Sequence, residues 1–338
     1  MFSRYSRLLK NGKCMGETFK SAILTFHKNE AKPIEIVGWH EIYSVAFLGE
    51  GKHIVSGGKE GKIRRWRTED GNEVETPMDA RSQVSNIAVS RDGKWIVSGA
   101  VSGELTVWDS ESHKEVVRWQ GHSEVVVAVD ISLDGTRIAT GSGDFTACVW
   151  SLTTGQRLLG PLEHNANLIA AKFSPDGRLI ATATWRSSVW VYDIQNGRIL
   201  VDVPIEVANH RNQSLVWVSN SKYLFALSRD GKISYLGVST GSTLFSWPIH
   251  SNIDNQPGCI ALANNGTFIA ASAGSSVSFW DTTTHKQIGS TINHTTEVMV
   301  MAISVNDDLA IGGGKVITLR NKRDMLPSSY HKDVSALA

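Results

Sequence analysis

The chain has 338 residues, of which 41% are hydrophobic and 20% charged, and its 34 basic and 33 acidic side chains give a formal net charge of +1. This composition is typical of a globular protein with a sizeable core, and the balanced charge excludes the general attraction to nucleic acid or anionic membrane that a strongly basic protein has. The three cysteines (Cys14, Cys148 and Cys259) form no C-x-x-C pair, so the sequence predicts neither disulfides nor a zinc site and favours a cytoplasmic or nuclear location.

The first 32 residues form a basic arm. They contain seven lysines and arginines but only two acidic residues, Glu17 and Glu30. A mitochondrial transit peptide and a solvated arm share this composition, and we interpret the segment as a solvated arm. No apolar run in the chain approaches the roughly 18 residues that a membrane-spanning helix needs, so no membrane interaction is predicted.

The sequence after the arm is periodic. Aromatic or apolar residues that end a short β-like run recur first at intervals of 42 residues, three times in succession, and then at intervals of 44, 44 and 39 residues. These positions are Trp66, Trp108, Trp150, Tyr192, Leu236, Trp280 and Leu319. The spacing predicts seven structural repeats that fill residues 33–326.

Each repeat reads as short strands joined by tight turns. In the third repeat, the predicted strands are Val125–Ile131, Arg137–Thr140, Thr146–Trp150 and Gln156–Leu159. Asp-Gly pairs, which favour hairpins because glycine readily adopts a positive φ, recur in the same place of the repeat. Seven such antiparallel units, none of which can bury both faces alone, predict an all-β protein whose sheets stack around an axis.

Three segments resemble WD40 repeats: IVSGGKEGKIRRW at residues 54–66, IVSGAVSGELTVWD at 96–109 and IATGSGDFTACVW at 138–150. Gly121-His122, which opens the third repeat, resembles the same family. The resemblance covers residues 33–326, is strong in repeats one to four and weakens in repeats five to seven. It implies a seven-bladed β-propeller with four antiparallel strands per blade.

The two ends of the periodic region are complementary. Residues 32–39 occupy the register of an outer fourth strand, whereas the seventh repeat stops after its third strand, Val316–Arg320. WD40 propellers typically close their ring by letting the N-terminal strand complete the last blade. The resemblance therefore implies that Ile34–Val37 closes this ring and removes an exposed edge, and that residues 327–338 form a tail.

The resemblance also implies a structural role for residues that could be mistaken for a catalytic triad. His122, Thr140, Asp144 and Trp150 match the buried WD40 tetrad, in which indole, hydroxyl, imidazole and carboxylate satisfy one another. His40, Ser56, Glu60 and Trp66 nearly repeat it in the first unit. The later repeats lack members of the set, so we expect them to depend more on apolar packing.

The function that these features favour is a non-catalytic scaffold that binds partner proteins or peptides on the faces of a monomeric propeller. No catalytic, metal-binding or cofactor-binding residue is predicted, and no specific nucleic-acid binding is expected. Two alternatives stay open: an enzyme with its site in the central channel, and the recognition module of a larger signalling system. The innermost strands read as largely apolar, and polar residues such as Asp130 look isolated.

One candidate partner-binding patch lies in repeats four and five. In WD40-like units, the loop before the first strand and the turn between the second and third strands emerge on the same face. This register places Trp185, Arg186, Arg211 and Arg229 together. An indole beside three guanidinium groups suits an acidic or phosphorylated segment, because arginine binds carboxylate and phosphate bidentately.

Overall fold

The computed structural model describes residues 33–185, 188–208, 214–249 and 258–331. These residues form seven four-stranded antiparallel sheets. In six of them, the four strands follow one another in the chain from the inner to the outer edge of the blade. The first strand, β1 (Ile34–Val37), belongs to the last sheet. The prediction of an all-β, seven-bladed propeller is confirmed.

Blades one to four each consist of four strands that follow one another in the chain. They are β2 (Ile42–Leu48), β3 (His53–Gly58), β4 (Lys62–Arg67) and β5 (Glu73–Asp79); β6 (Val84–Val89), β7 (Trp95–Ala100), β8 (Glu104–Asp109) and β9 (Glu115–Gln120); β10 (Val126–Ile131), β11 (Arg137–Ser142), β12 (Thr146–Ser151) and β13 (Arg157–Glu163); and β14 (Leu168–Phe173), β15 (Leu179–Thr184), β16 (Val189–Asp193) and β17 (Ile199–Val203).

Blades five and six have the same plan, and blade seven takes its outer strand from the N-terminal side. The remaining strands are β18 (Leu215–Trp217), β19 (Tyr223–Leu227), β20 (Lys232–Gly237) and β21 (Ser242–Pro248); β22 (Ile260–Leu262), β23 (Phe268–Ala273), β24 (Ser276–Asp281) and β25 (Gln287–Asn293); and β26 (Val300–Ile303), β27 (Leu309–Gly313) and β28 (Val316–Arg320).

The predicted hairpin turns lie between the first and second strands of their blades. Gly93, Gly135 and Gly177 have φ angles of 73°, 68° and 68°, which a residue with a Cβ adopts only with strain. The preceding aspartate also shapes each turn. Asp134, for example, accepts hydrogen bonds from the Ser132 hydroxyl at 2.5 Å and from its own loop's Thr136 amide at 3.0 Å.

The hydrophobic core lies between neighbouring blades. Val97 and Val107 of blade two, for example, belong to one buried cluster with Val129, Ile138 and Trp150 of blade three. Each sheet therefore buries its faces only by packing on its neighbours.

Ring closure follows the predicted scheme. Strand β1 pairs antiparallel with β28, with Ile34 opposite Leu319 and Ile36 opposite Ile317. Ile36 is buried with Trp66 of blade one and Ile317 of blade seven, so the N-terminal strand joins the last blade to the first.

A short C-terminal segment packs on the sixth blade after the last strand. It contains α1 (Lys322–Met325) and a 3₁₀ turn at Ser328–Tyr330. Met325 and the following Leu326 are buried against Ile288 of β25, and the Lys322 ammonium forms a buried ion pair with Asp307 at 2.7 Å. No helix among the described residues is long and apolar enough to cross a membrane. The predicted arm at residues 1–32 lies outside the described residues.

Candidate functional site

The third blade brings the four predicted tetrad residues into one hydrogen-bonded chain. The Trp150 indole donates to the Thr140 hydroxyl oxygen at 2.8 Å, and this hydroxyl lies 2.7 Å from His122 Nε2. His122 Nδ1 lies 3.0 Å from an Asp144 carboxylate oxygen. A neutral imidazole that donates from Nδ1 to Asp144 and accepts at Nε2 from Thr140 satisfies every member.

The burial of this hydrogen-bonded chain of side chains indicates a structural role. Thr140 is completely buried, so its hydroxyl has no path to a substrate. Burial lowers the pKa of His122, although the charge of Asp144 acts in the opposite direction. The lowered pKa keeps the imidazole neutral. The amide of Ser123 and the hydroxyl of Thr146 also donate to Asp144, so this carboxylate fixes the loop that leads into the blade.

In the first blade, the predicted set of four does not form one chain. The Trp66 indole donates to Ser56 at 2.8 Å as expected. Both carboxylate oxygens of Glu60, however, accept from the Arg64 guanidinium at 2.9 and 2.5 Å, and His40 is exposed. The prediction overlooked Arg64, whose charge-assisted bidentate bond is stronger than a bond from a neutral imidazole.

The fourth blade has a different polar chain because Tyr192 replaces tryptophan. His164 Nδ1 donates to the Leu162 carbonyl at 2.9 Å, so its Nε2 is the acceptor nitrogen. The hydroxyls of Thr182 at 2.9 Å and Tyr192 at 3.1 Å both lie within hydrogen-bond distance of Nε2. Trp190 stacks on the imidazole with ring centroids 4.3 Å apart. Burial lowers the pKa of His164 to about 4.

This shift predicts that the ring loses stability in mild acid. Because the pKa of His164 is about 4 in the folded chain and about 6.5 in the unfolded chain, the unfolded chain binds more protons between these pH values. Stability should therefore fall as the pH drops from 6.5 to 4. In His164→Gln, the decrease in unfolding free energy between pH 7 and 4.5 should be smaller than in the wild type by roughly 1 to 3 kcal/mol.

Chemical denaturation at several pH values measures this difference, and carboxylates that titrate in both proteins cancel in the comparison. Identical pH profiles for the two proteins would show that His164 is already protonated or solvated in the folded state.

The structure places two of the four predicted partner-binding residues at the junction of blades four and five. Trp185 and Ser228 form β-bridges to opposite sides of Val207, in the loop that connects the blades. Trp185 is 42% exposed. Arg229 follows Ser228, and its guanidinium lies 4.0 Å from the Glu206 carboxylate. Arg186 and Arg211 lie outside the described residues.

Comparison with known families identifies the repeats. The family model described as WD domain, G-beta repeat matches residues 31–67, 73–109 and 113–151, and the model described as anaphase-promoting complex subunit 4 WD40 domain matches residues 171–265. The chain belongs to the WD40-repeat β-propeller family. Direct comparison with curated proteins gives no match.

Each matched WD40 repeat combines the outer strand of one blade with the three inner strands of the next. The first match, residues 31–67, includes β1 and then β2 to β4. This offset is the sequence counterpart of the observed ring closure, in which β1 is the outer strand of blade seven.

The channel side of this WD40 ring carries polar residues that recur from blade to blade, and the sequence analysis missed this recurrence. Ser44, Asn86 and Asp130 each accept a hydrogen bond from a backbone N–H in the next blade, at 2.9, 3.0 and 2.9 Å. Asp130 also pairs with the Lys172 ammonium at 3.2 Å. Asp130 is therefore not isolated. The sequence signal for this series was the spacing of its members: Asn86 follows Ser44 by 42 residues, and Asp130 follows Asn86 by 44 residues.

Blade five replaces the tetrad by aromatic packing. Leu236 stands at the position of the tetrad tryptophan and Ala226 at the position of the tetrad hydroxyl residue, and both are buried. The opposite face of the sheet carries Tyr235, which lies 4.9 Å from Tyr223 and 4.8 Å from Phe245 between ring centroids. Apolar packing thus substitutes for the hydrogen-bonded chain in this blade.

Proposed function

We propose that this protein is a non-catalytic scaffold that binds an acidic or phosphorylated segment of a partner protein at the junction of blades four and five. WD40 propellers are generally protein-interaction scaffolds. The observation that supports the proposal is that the backbone of Val207 pairs both with Trp185, which is 42% exposed, and with Ser228, the residue before Arg229.

The chemistry of these residues supports this class of partner. Tryptophan and arginine are enriched at the residues that dominate binding energy, since an indole contributes a large apolar area and a guanidinium binds oxyanions bidentately. The sequence also has arginines at positions 186 and 211, which lie outside the described residues. One of the matching family models is named for a subunit of a complex, which agrees with a role in protein assembly.

The polar groups that could suggest catalysis serve the fold. The blade-three imidazole and hydroxyl are buried and bonded to each other, and the Asp130 carboxylate is bonded to the Phe173 amide and Lys172. These engagements favour a scaffold over a channel enzyme, because a nucleophile or base needs an open position for substrate.

The test begins with affinity purification and mass spectrometry to identify a partner. The double variant Trp185→Ala with Arg229→Ala should weaken its binding at least tenfold, or about 1.4 kcal/mol, and leave the melting temperature nearly unchanged. The matched control is Trp39→Ala, which removes another exposed tryptophan and should leave the affinity unchanged. Equal losses in the two variants, or none in the double variant, would place the binding surface elsewhere.

A further inference from the structure

A cleft of about 480 Å³ opens between the end of β17 and the sheet of blade five. Its walls combine the loop residues Pro204, Ile205 and Glu206 with the turn and the outer strands of blade five. This volume lies within the range of ligand-binding pockets, and the Glu206 wall adjoins the Val207 bridge that joins Trp185 to the blade-five turn.

Blade five has no aromatic residue at two equivalent positions of the blades, and the smaller of its two residues, Ser234, lines the cleft. Both positions lie on the third strand of each blade, two residues apart. In blades one to four and six, at least one of them is an aromatic residue, whereas blade five has Ser234 and Leu236 and blade seven has Ile317 and Leu319. The paired residues are Arg64 and Trp66, Thr106 and Trp108, Cys148 and Trp150, Trp190 and Tyr192, and Ser278 and Trp280.

Blade four shows how a large side chain occupies this space. Trp190 holds the position that corresponds to Ser234, where it stacks on His164 and its indole donates to Asp202. In blade five, Ser234 pairs across the strands with Ser246, and both line the cleft with Thr243.

The donors of the cleft suit an oxyanion. Ser234, Thr243 and Ser246, which carry hydroxyl groups, line the cleft together with Arg229. Hydroxyl and guanidinium groups together are common donors to carboxylate and phosphate oxygens. A hydrocarbon would offer these donors no acceptor, whereas a carboxylate or phosphate oxygen accepts from all of them.

The two acidic residues of the cleft do not oppose such a ligand equally. The Asp230 carboxylate accepts from the Ser228 hydroxyl and from the Lys232 ammonium, so its charge is already compensated. The Glu206 side chain is 65% exposed and lies 4.0 Å from the Arg229 guanidinium. Such an exposed pair is weak, and Glu206 can turn to solvent while a ligand oxyanion takes its place.

We infer that the inter-blade cleft binds the oxyanion of a glutamate, aspartate or phosphorylated serine side chain, with Arg229, Ser234 and Ser246 as its donors. This inference rests on the proposed function, since it assigns a specific position to the acidic group of the bound segment. Trp185, across the Val207 bridge, then contacts the residues that flank that group.

The probes are three blocked pentapeptides with the sequence Gly-Gly-X-Gly-Gly, in which X is phosphoserine, glutamate or serine. NMR titration of the full chain should detect binding of the phosphoserine and glutamate peptides, and the serine peptide should bind at least tenfold more weakly. The ratio of the first two affinities identifies which oxyanion the cleft prefers. Equal affinities for all three peptides would overturn the inference.

Two variants that fill the cleft locate the site. Ser246→Trp changes an exposed residue and Ser234→Trp copies the arrangement of blade four, so each should weaken the charged peptides at least tenfold. The matched control is Ser290→Trp on β25, an exposed serine on the outer strand of blade six, which should have no effect. Ser246→Trp keeps the test valid even where Ser234→Trp folds poorly.

Unchanged peptide binding in Ser246→Trp would overturn the inference. The purified partner separates this failure from that of the proposed function. Loss of partner binding in the Trp185 and Arg229 double variant, with full binding in Ser246→Trp, would retain the interaction surface and reject the cleft as its oxyanion site.

Discussion

Deletion of residues 1–38 should destabilise the whole ring by on the order of 5 kcal/mol, whereas deletion of residues 1–28 should change its stability little. The longer deletion removes β1, its ladder to β28 and the buried Ile36 side chain. Burying one isoleucine contributes about 1.5–3 kcal/mol, and each net hydrogen bond contributes about 0.5–1.5 kcal/mol. Because a domain is stable by only about 5–15 kcal/mol, this loss is a large part of the total.

Thermal melting of both truncations measures the difference, and the longer one should melt lower by about 10 °C or more. Two point variants of β1 provide a control within the full chain. Ile36 is 2% exposed and Val37 is 70% exposed, so Ile36→Ala should cost about 2–4 kcal/mol and Val37→Ala less than about 0.5. Equal melting temperatures for the two truncations would mean that β28 does not need its partner strand.

Replacement of Asp144 by alanine should lower the unfolding free energy by about 1 to 3 kcal/mol. The substitution leaves His122 Nδ1 without its acceptor, and it also removes the acceptor of the Ser123 amide and the Thr146 hydroxyl. His122 and Thr140 are buried, so water cannot readily replace the lost bonds. Denaturant unfolding measures the loss.

The matched control is Ser102→Ala, at the corresponding position of blade two. The Ser102 side chain is exposed and donates to the half-buried Glu104 carboxylate, at 3.2 Å, so the substitution should cost less than about 0.5 kcal/mol. Similar losses at both positions would show that the blade-three chain contributes nothing beyond an ordinary surface bond.

The strand pattern could be predicted closely because it depends on local chemistry. In the third repeat, the predicted Thr146–Trp150 is observed as Thr146–Ser151, and the predicted Arg137–Thr140 as Arg137–Ser142. The fourth strand was predicted to begin at Gln156 and runs from Arg157 to Glu163. Its end was placed four residues too early, since the observed strand continues through Gly160 and Pro161.

The polar contacts were predicted less completely because they depend on competition between neighbours. The spacing that identified His122, Thr140, Asp144 and Trp150 also selected Glu60 for the same role in blade one, where Arg64 on the adjoining strand binds its carboxylate. A repeat pattern compares equivalent positions, whereas a hydrogen bond is made to whichever donor is nearest and most strongly charged.

The sequence by itself determined the seven repeats and their strand pattern, because hydrophobic alternation, turn glycines and a fixed period act over a few residues. The closure of the ring was implied by the family resemblance. Only the tertiary structure showed that Asp130 joins neighbouring blades and that Ser234 and Arg229 line one cleft beside the end of β17. Those features arise between blades, where side chains more than 20 residues apart in the chain compete for the same space and the same donors.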